Sequence, residues 1–87
     1  MTYAFEISDK LDKTLTKVSK KDKGLLKSIK KKIDEICLNP KHYKPLRKPM
    51  QNLRRVHIGS FVLVYEILED EEIIRFLTFK HHDKVYL

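Results

Sequence analysis

Residues 53–80, LRRVHIGSFVLVYEILEDEEIIRFLTFK, decide the fold. Two interruptions, Gly59-Ser60 and the acidic Glu69 to Glu72, divide them into three runs rich in β-branched and aromatic residues: Leu53 to Ile58, Phe61 to Leu68 and Ile73 to Lys80. Runs of that kind joined by short turns predict three consecutive antiparallel strands, a meander. Phe61 to Leu68 is apolar on both faces and belongs in the centre. A two-residue loop at Gly59-Ser60 sets Ile58 opposite Phe61 and His57 opposite Val62. Alternation then places Val56, Ile58, Phe61, Leu63, Tyr65 and Ile67 on one face, toward helices, and Arg55, His57, Val62 and Val64 on the other.

Toward the N-terminus, Tyr3, Phe5 and Ile7 alternate with Ala4 and Glu6, which predicts a first strand from Thr2 to Ile7. Ser8 or Asp9 can accept hydrogen bonds from the free amides of a helix start, and Leu11, Leu15 and Val18 recur at helical spacing. The polar Lys20 to Gly24 segment ends that helix. Leu25, Leu26, Ile29, Ile33, Ile36 and Cys37 trace the apolar stripe of a second one, which stops near Asn39-Pro40 because proline disfavours helical geometry in the residue before it. The expected class is α+β: an N-terminal strand, a helical hairpin, then the three-stranded antiparallel meander, giving a four-stranded sheet with helices packed on one face. Residues 1–87 form a single domain, since a chain this short supports one core.

Cys37 lies on the apolar stripe and reads as a small core residue. As the one cysteine, with no apolar segment after Met1, it indicates neither internal disulfide nor secretion, and a cytoplasmic protein is expected. No apolar run approaches the roughly 20 residues needed to span a bilayer, so no membrane role is expected.

The net charge of +7 favours a phosphate backbone or an acidic protein as partner. The lysines between Lys10 and Lys32 are interleaved with Asp9, Asp12, Asp22, Asp34 and Glu35, as on a solvated helix face. Between Glu35 and Glu66, however, no acidic residue occurs, while Lys41, Lys44, Arg47, Lys48, Arg54 and Arg55 fall there with His42 and His57. Residues 41–52, with Pro45 and Pro49, read as a basic loop. Lys44, Arg47, Lys48 and Arg54 are therefore candidate phosphate-binding residues.

The strongest chemical candidate is Arg55 and His57 on one strand with Lys80, His82 and Tyr86 at the end of the last. Cleaving RNA needs deprotonation of a ribose 2′-hydroxyl, stabilisation of charge growing on the phosphate, and protonation of the leaving 5′-oxygen. Imidazoles and crowded cations supply these, and a tyrosine can stack a base. A plain phosphate-binding surface fits the same residues. His81, His82 and Asp83 invite a metal reading, but neighbours on a strand point to opposite faces and no second cluster completes a site, so neither metal nor cofactor is expected.

The order of elements, Pro45-Leu46-Arg47, the stretch Arg54 to Ile67 and the ending His81-His82-Asp83-Lys84-Val85-Tyr86 resemble the RelE/ParE superfamily of bacterial and archaeal toxins, most nearly an archaeal-type RelE. The resemblance spans nearly the whole chain. It implies the toxin of a type II toxin–antitoxin system, a metal-independent endoribonuclease that cuts mRNA in the ribosomal A site and is held in a hetero-oligomer by a RelB-type antitoxin. By position, Arg55 and His57 match paired lysines of the second strand, Lys80 an arginine after the last strand, His82 the arginine of the commoner His-Arg ending, and Tyr86 the C-terminal tyrosine. Val62 stands where many members carry a phosphate-stabilising arginine. With Leu87 directly after Tyr86, no C-terminal helix is expected to cover the site. Two other readings fit the same resemblance or charge: a ParE-like toxin that poisons DNA gyrase without catalysis, and a basic RNA-binding module.

Overall fold

The computed structural model describes residues 2–47 and 52–85. In chain order these form β1 (Ala4–Ile7), α1 (Asp9–Lys21), α2 (Lys23–Leu38), β2 (Leu53–Ile58), β3 (Phe61–Leu68), β4 (Ile73–His81) and a short α3 (His82–Val85), with one 3-10 turn, Glu69–Glu71, between β3 and β4. The class is α+β, with the sheet order β1-β4-β3-β2. β2, β3 and β4 make the antiparallel meander, with Ile58 opposite Phe61 and His57 opposite Val62.

β1 adds to the far side of β4 in parallel, Phe5 beside Ile74 and Ile7 beside Phe76, so the sheet is mixed. Ser8 fixes that junction three ways. Its backbone N–H donates to the Phe76 carbonyl at 3.0 Å, its hydroxyl donates to the Leu77 carbonyl at 2.7 Å, and the same oxygen caps α1 by accepting from the Leu11 N–H at 3.1 Å. Leu77 is skipped in the β3–β4 register, where Val64 faces Thr78 and Tyr65 faces Phe76. Strict alternation counted back from Lys80 would turn Phe76 away from the helices. The bulge shifts the phase, and Phe76 and Phe79 both enter the core.

A single residue separates the two helices. Asp22, extended at φ −148°, ends α1 through its N–H to Val18 and starts α2 through its carboxylate, which accepts from the Leu25 N–H at 3.0 Å. The hairpin lays Leu11, Ile29, Ile33, Ile36 and Cys37 against Val56, Ile58, Leu63, Tyr65, Ile74, Phe76 and Phe79. Cys37 is part of this core, as its place on the stripe predicts, and burial pushes its thiol pKa up. The Tyr65 hydroxyl reaches out of the core to donate to the Pro40 carbonyl at 3.2 Å, tying the end of the hairpin to the central strand. Among the described residues no helix is long and apolar enough to cross a membrane.

Candidate functional site

The face of the sheet away from the helices is built from cross-strand rows. One runs His57, Val62, Lys80 and the next Arg55, Val64, Thr78. In each row the outer side chains rise two strand spacings apart, about 10 Å. Val62 and Val64 are buried, although they belong to the face that the helices do not cover. Closed to solvent, they form the packed base between the polar side chains. Arg55 and Lys80 are half-buried and His57 is exposed.

The other end of this face is neutralised. Arg75 donates from Nε to Glu6 at 3.0 Å, pairs with the same carboxylate through Nη2 at 2.9 Å, and lies 3.6 Å from Glu66. Glu6 raises the guanidinium pKa, so Arg75 stays charged and matched. Attraction for anions is thereby concentrated at the His57 and Lys80 end.

At the outer edge of β2 a cleft of about 330 Å³ is lined by Lys32, Tyr43, Lys44, Pro45, Arg55, Val56 and His57, none of them acidic. The basic loop forms its outer wall. Pro45 bridges to Arg54, the Leu46 N–H donates to the Leu53 carbonyl at 2.9 Å, and the Arg54 guanidinium donates to the Tyr43 carbonyl. Lys32 reaches in from α2, its ammonium 3.2 Å from Glu35 and 3.5 Å from the Tyr43 hydroxyl. Hydrogen bonds to Glu35 and Tyr43 raise its pKa, so it stays protonated, its charge matched by Glu35 at the cleft wall.

Of the residues singled out in the sequence, Arg55, His57 and Lys80 share one face, and Lys44 joins Arg55 and His57 around the cleft. Arg47 is exposed on the loop. Lys48 and Tyr86 lie outside the described residues. Arg54 is placed apart, because alternation turns it to the other side of β2. There it holds the Tyr43 carbonyl and lines a separate pocket with Asn52, Ile67, Glu69 and Asp70. Lys32 and Tyr43 were missed. Lys32 looks like one more lysine of a solvated helix, and only the fold brings it beside residues more than twenty positions away.

His82 also departs from expectation. The chain leaves the sheet after His81, so position 82 does not continue the row of Lys80. Its backbone N–H donates to the Ser60 carbonyl at 3.0 Å, and its Nδ1 lies 3.1 Å from the same oxygen, at the β2–β3 turn. For the same reason His81, His82 and Asp83 do not point to opposite faces, as strand alternation would have them, but turn toward one another. Asp83 lies 3.5 Å from His81 Nδ1 and 2.9 Å from His82 Nε2, and the two rings are 4.5 Å apart.

The sequence pattern of the ParE toxin of type II toxin–antitoxin systems, parDE, matches residues 4–86. A protein of Methanocaldococcus jannaschii designated RelE4 is 51% identical over 85 residues, covering 97% of this chain and 90% of that one. In structure the chain is similar to the RelBE2 toxin–antitoxin complex of Mycobacterium tuberculosis, with a TM-score of 0.79, 18% identity and coverage of 94% of this chain and 100% of that one. It is also similar to the archaeal RelE–RelB complex of Pyrococcus horikoshii, with a TM-score of 0.72, 17% identity and coverage of 97% and 99%. These two structures bear on the fold, and the pattern and the RelE4 identity bear on kinship. The chain belongs to the RelE/ParE family, the toxins of type II toxin–antitoxin systems.

Proposed function

We propose that the protein is a metal-independent endoribonuclease of the cytoplasm that cuts mRNA in the ribosomal A site and is silenced by a RelB-type antitoxin. The observation that carries this reading is the row His57, Val62, Lys80: an imidazole and an ammonium on one face, about two strand spacings apart on either side of a buried valine. An imidazole takes the proton of the 2′-hydroxyl, the 2′-oxygen bonds to phosphorus, and the 5′-oxygen leaves with a proton from a second acid. Arg55 and Lys80 hold the phosphate as its charge grows. His57 and His82 are the proton-transfer groups, and Tyr86 positions the RNA. Lys44, Arg47 and Lys48 hold flanking phosphates. Arg54 serves indirectly, by fixing the loop that forms the cleft wall.

An antitoxin partner is supported by the complexes in which the similar structures occur. The purified protein, added to a cell-free translation system, should cleave messages within translated codons and leave the same messages intact in ribosome-free controls. Intact messages with folded protein in the translating system sink the reading. The ParE pattern and the valine at position 62 favour a second one, in which gyrase is the target. Inhibition of DNA supercoiling without message cleavage would establish that alternative.

A further inference from the structure

At the end of β4 three potential ligand atoms turn toward one another: His81 Nδ1, His82 Nε2 and a carboxylate oxygen of Asp83 all lie within 4.8 Å of one another. Hydrogen bonding sets their lone pairs. The Ser60 carbonyl can only accept, so the His82 Nδ1 that faces it at 3.1 Å carries the proton. In the singly protonated ring that leaves a lone pair on Nε2, 2.9 Å from Asp83 Oδ1. His81 Nδ1 accepts from the Asp83 N–H at 3.4 Å and lies 3.5 Å from Asp83 Oδ2, so it too presents a lone pair beside the carboxylate. Three electron-rich atoms around one point are what a bound cation relieves. A carbonyl that fixes the tautomer of a histidine from behind is also the usual support of a ligating imidazole.

The geometry points to a divalent-metal site of the zinc class formed by His81, His82 and Asp83. Two imidazoles with one carboxylate suit zinc rather than magnesium or calcium, which prefer all-oxygen shells. Ligands at about 2.0–2.2 Å in a tetrahedron stand roughly 3.4 Å apart; the two separations from Asp83 are 2.9 and 3.5 Å and the whole set spans at most 4.8 Å, so rotation of these exposed side chains closes the remaining gap. The three side chains reach solvent, with 41, 50 and 73% of their surface exposed, so water can complete the shell. The site is regulatory. A metal on Nε2 occupies the ring that the proposed nuclease mechanism uses for proton transfer, and this second half of the inference rests on that mechanism.

Zinc titrated by calorimetry into the full-length protein tests the site without RNA. One zinc should bind per chain, and cobalt in its place should give the strong visible absorption of a four-coordinate ion. His81→Ala, His82→Ala and Asp83→Asn should each weaken binding roughly tenfold or more. His42→Ala, outside the three-residue cluster, should not. No binding at millimolar zinc, or binding unchanged in all three ligand variants, overturns the site. In the cleavage assay, zinc should suppress the wild-type protein, a chelator should restore it, and Asp83→Asn should resist suppression. Zinc that binds by calorimetry yet leaves cleavage untouched overturns the regulatory half. Absent cleavage in chelator overturns the nuclease reading alone, and calorimetry still decides the site.

Discussion

His57 on β2 and Lys80 on β4 are both paired with Val62 of β3, so an imidazole and an ammonium rise from one face on either side of a single fully buried valine. If these groups act on one phosphate, His57→Ala should lower cleavage about 10²–10⁴-fold and Lys80→Ala about 10²–10³-fold. The double variant should lose less than the product of the two, because both losses fall on one transition state. Rates of message cleavage at matched protein concentration decide it. Full activity in both single variants would remove the row from the mechanism.

Val62→Arg places a guanidinium between those two groups. Its stem can lie along the packed base while the head reaches the position of the phosphate. Cleavage should rise at least about tenfold, and overpacking should cost about 1–3 kcal/mol of stability. An unchanged rate in a folded variant would show that residue 62 does not limit catalysis.

Ser8→Ala removes both the cap of α1 and the hydroxyl link to the bulge at Leu77. A loss of about 1–2 kcal/mol is expected in urea unfolding. Ser8→Asp keeps the capping acceptor but cannot donate to Leu77, so it should recover only part of that loss. Equal stability of Ser8→Asp and wild type would mean the link to β4 contributes nothing.

Burial pushes the Tyr65 phenol from 10.0 up to about 12. The folded state thus favours the neutral form, and this contribution is present below about pH 10 and lost as pH rises toward 12. Tyr65→Phe should cost about 1 kcal/mol at neutral pH through the bond to Pro40. Its stability should fall less steeply than that of wild type above pH 10. Parallel alkaline profiles would refute the assignment.

Among the described residues, two in turns have positive φ: Gly59 at 61° and Glu72 at 53°. A Cβ at position 59 meets nothing within 4 Å, so Gly59→Ala should show a backbone cost alone, about 1–2 kcal/mol. Glu72→Gly relieves the same strain and should stabilise by up to about 1 kcal/mol. Thermal unfolding of the pair should therefore shift in opposite directions.

The meander was readable because its signals are local. Gly59-Ser60 and the acidic turn mark its ends, and alternation from His57 through Val62 carries the facing of each side chain from one residue to the next. The helical hairpin was readable for the same reason, from the stripe ending at Cys37. The candidate site was legible where it follows that alternation, at Arg55, His57 and Lys80, and where the acid-free basic run marks it, at Lys44.

What chain order and short-range chemistry dictated, then, was three strands in register, two helices and a basic face. Long-range contact decided the rest: β1 beside β4, the bulge at Leu77 that turns Phe76 inward, Lys32 and Tyr43 closing a cleft on β2, and Arg54 drawn away to hold a carbonyl. It also decided that the backbone leaves the sheet at His81, which gathers His81, His82 and Asp83 to one point. Periodicity reports the direction of a side chain only while its backbone stays regular, and where the chain bulges, turns or leaves an element, the direction depends on partners far away in sequence.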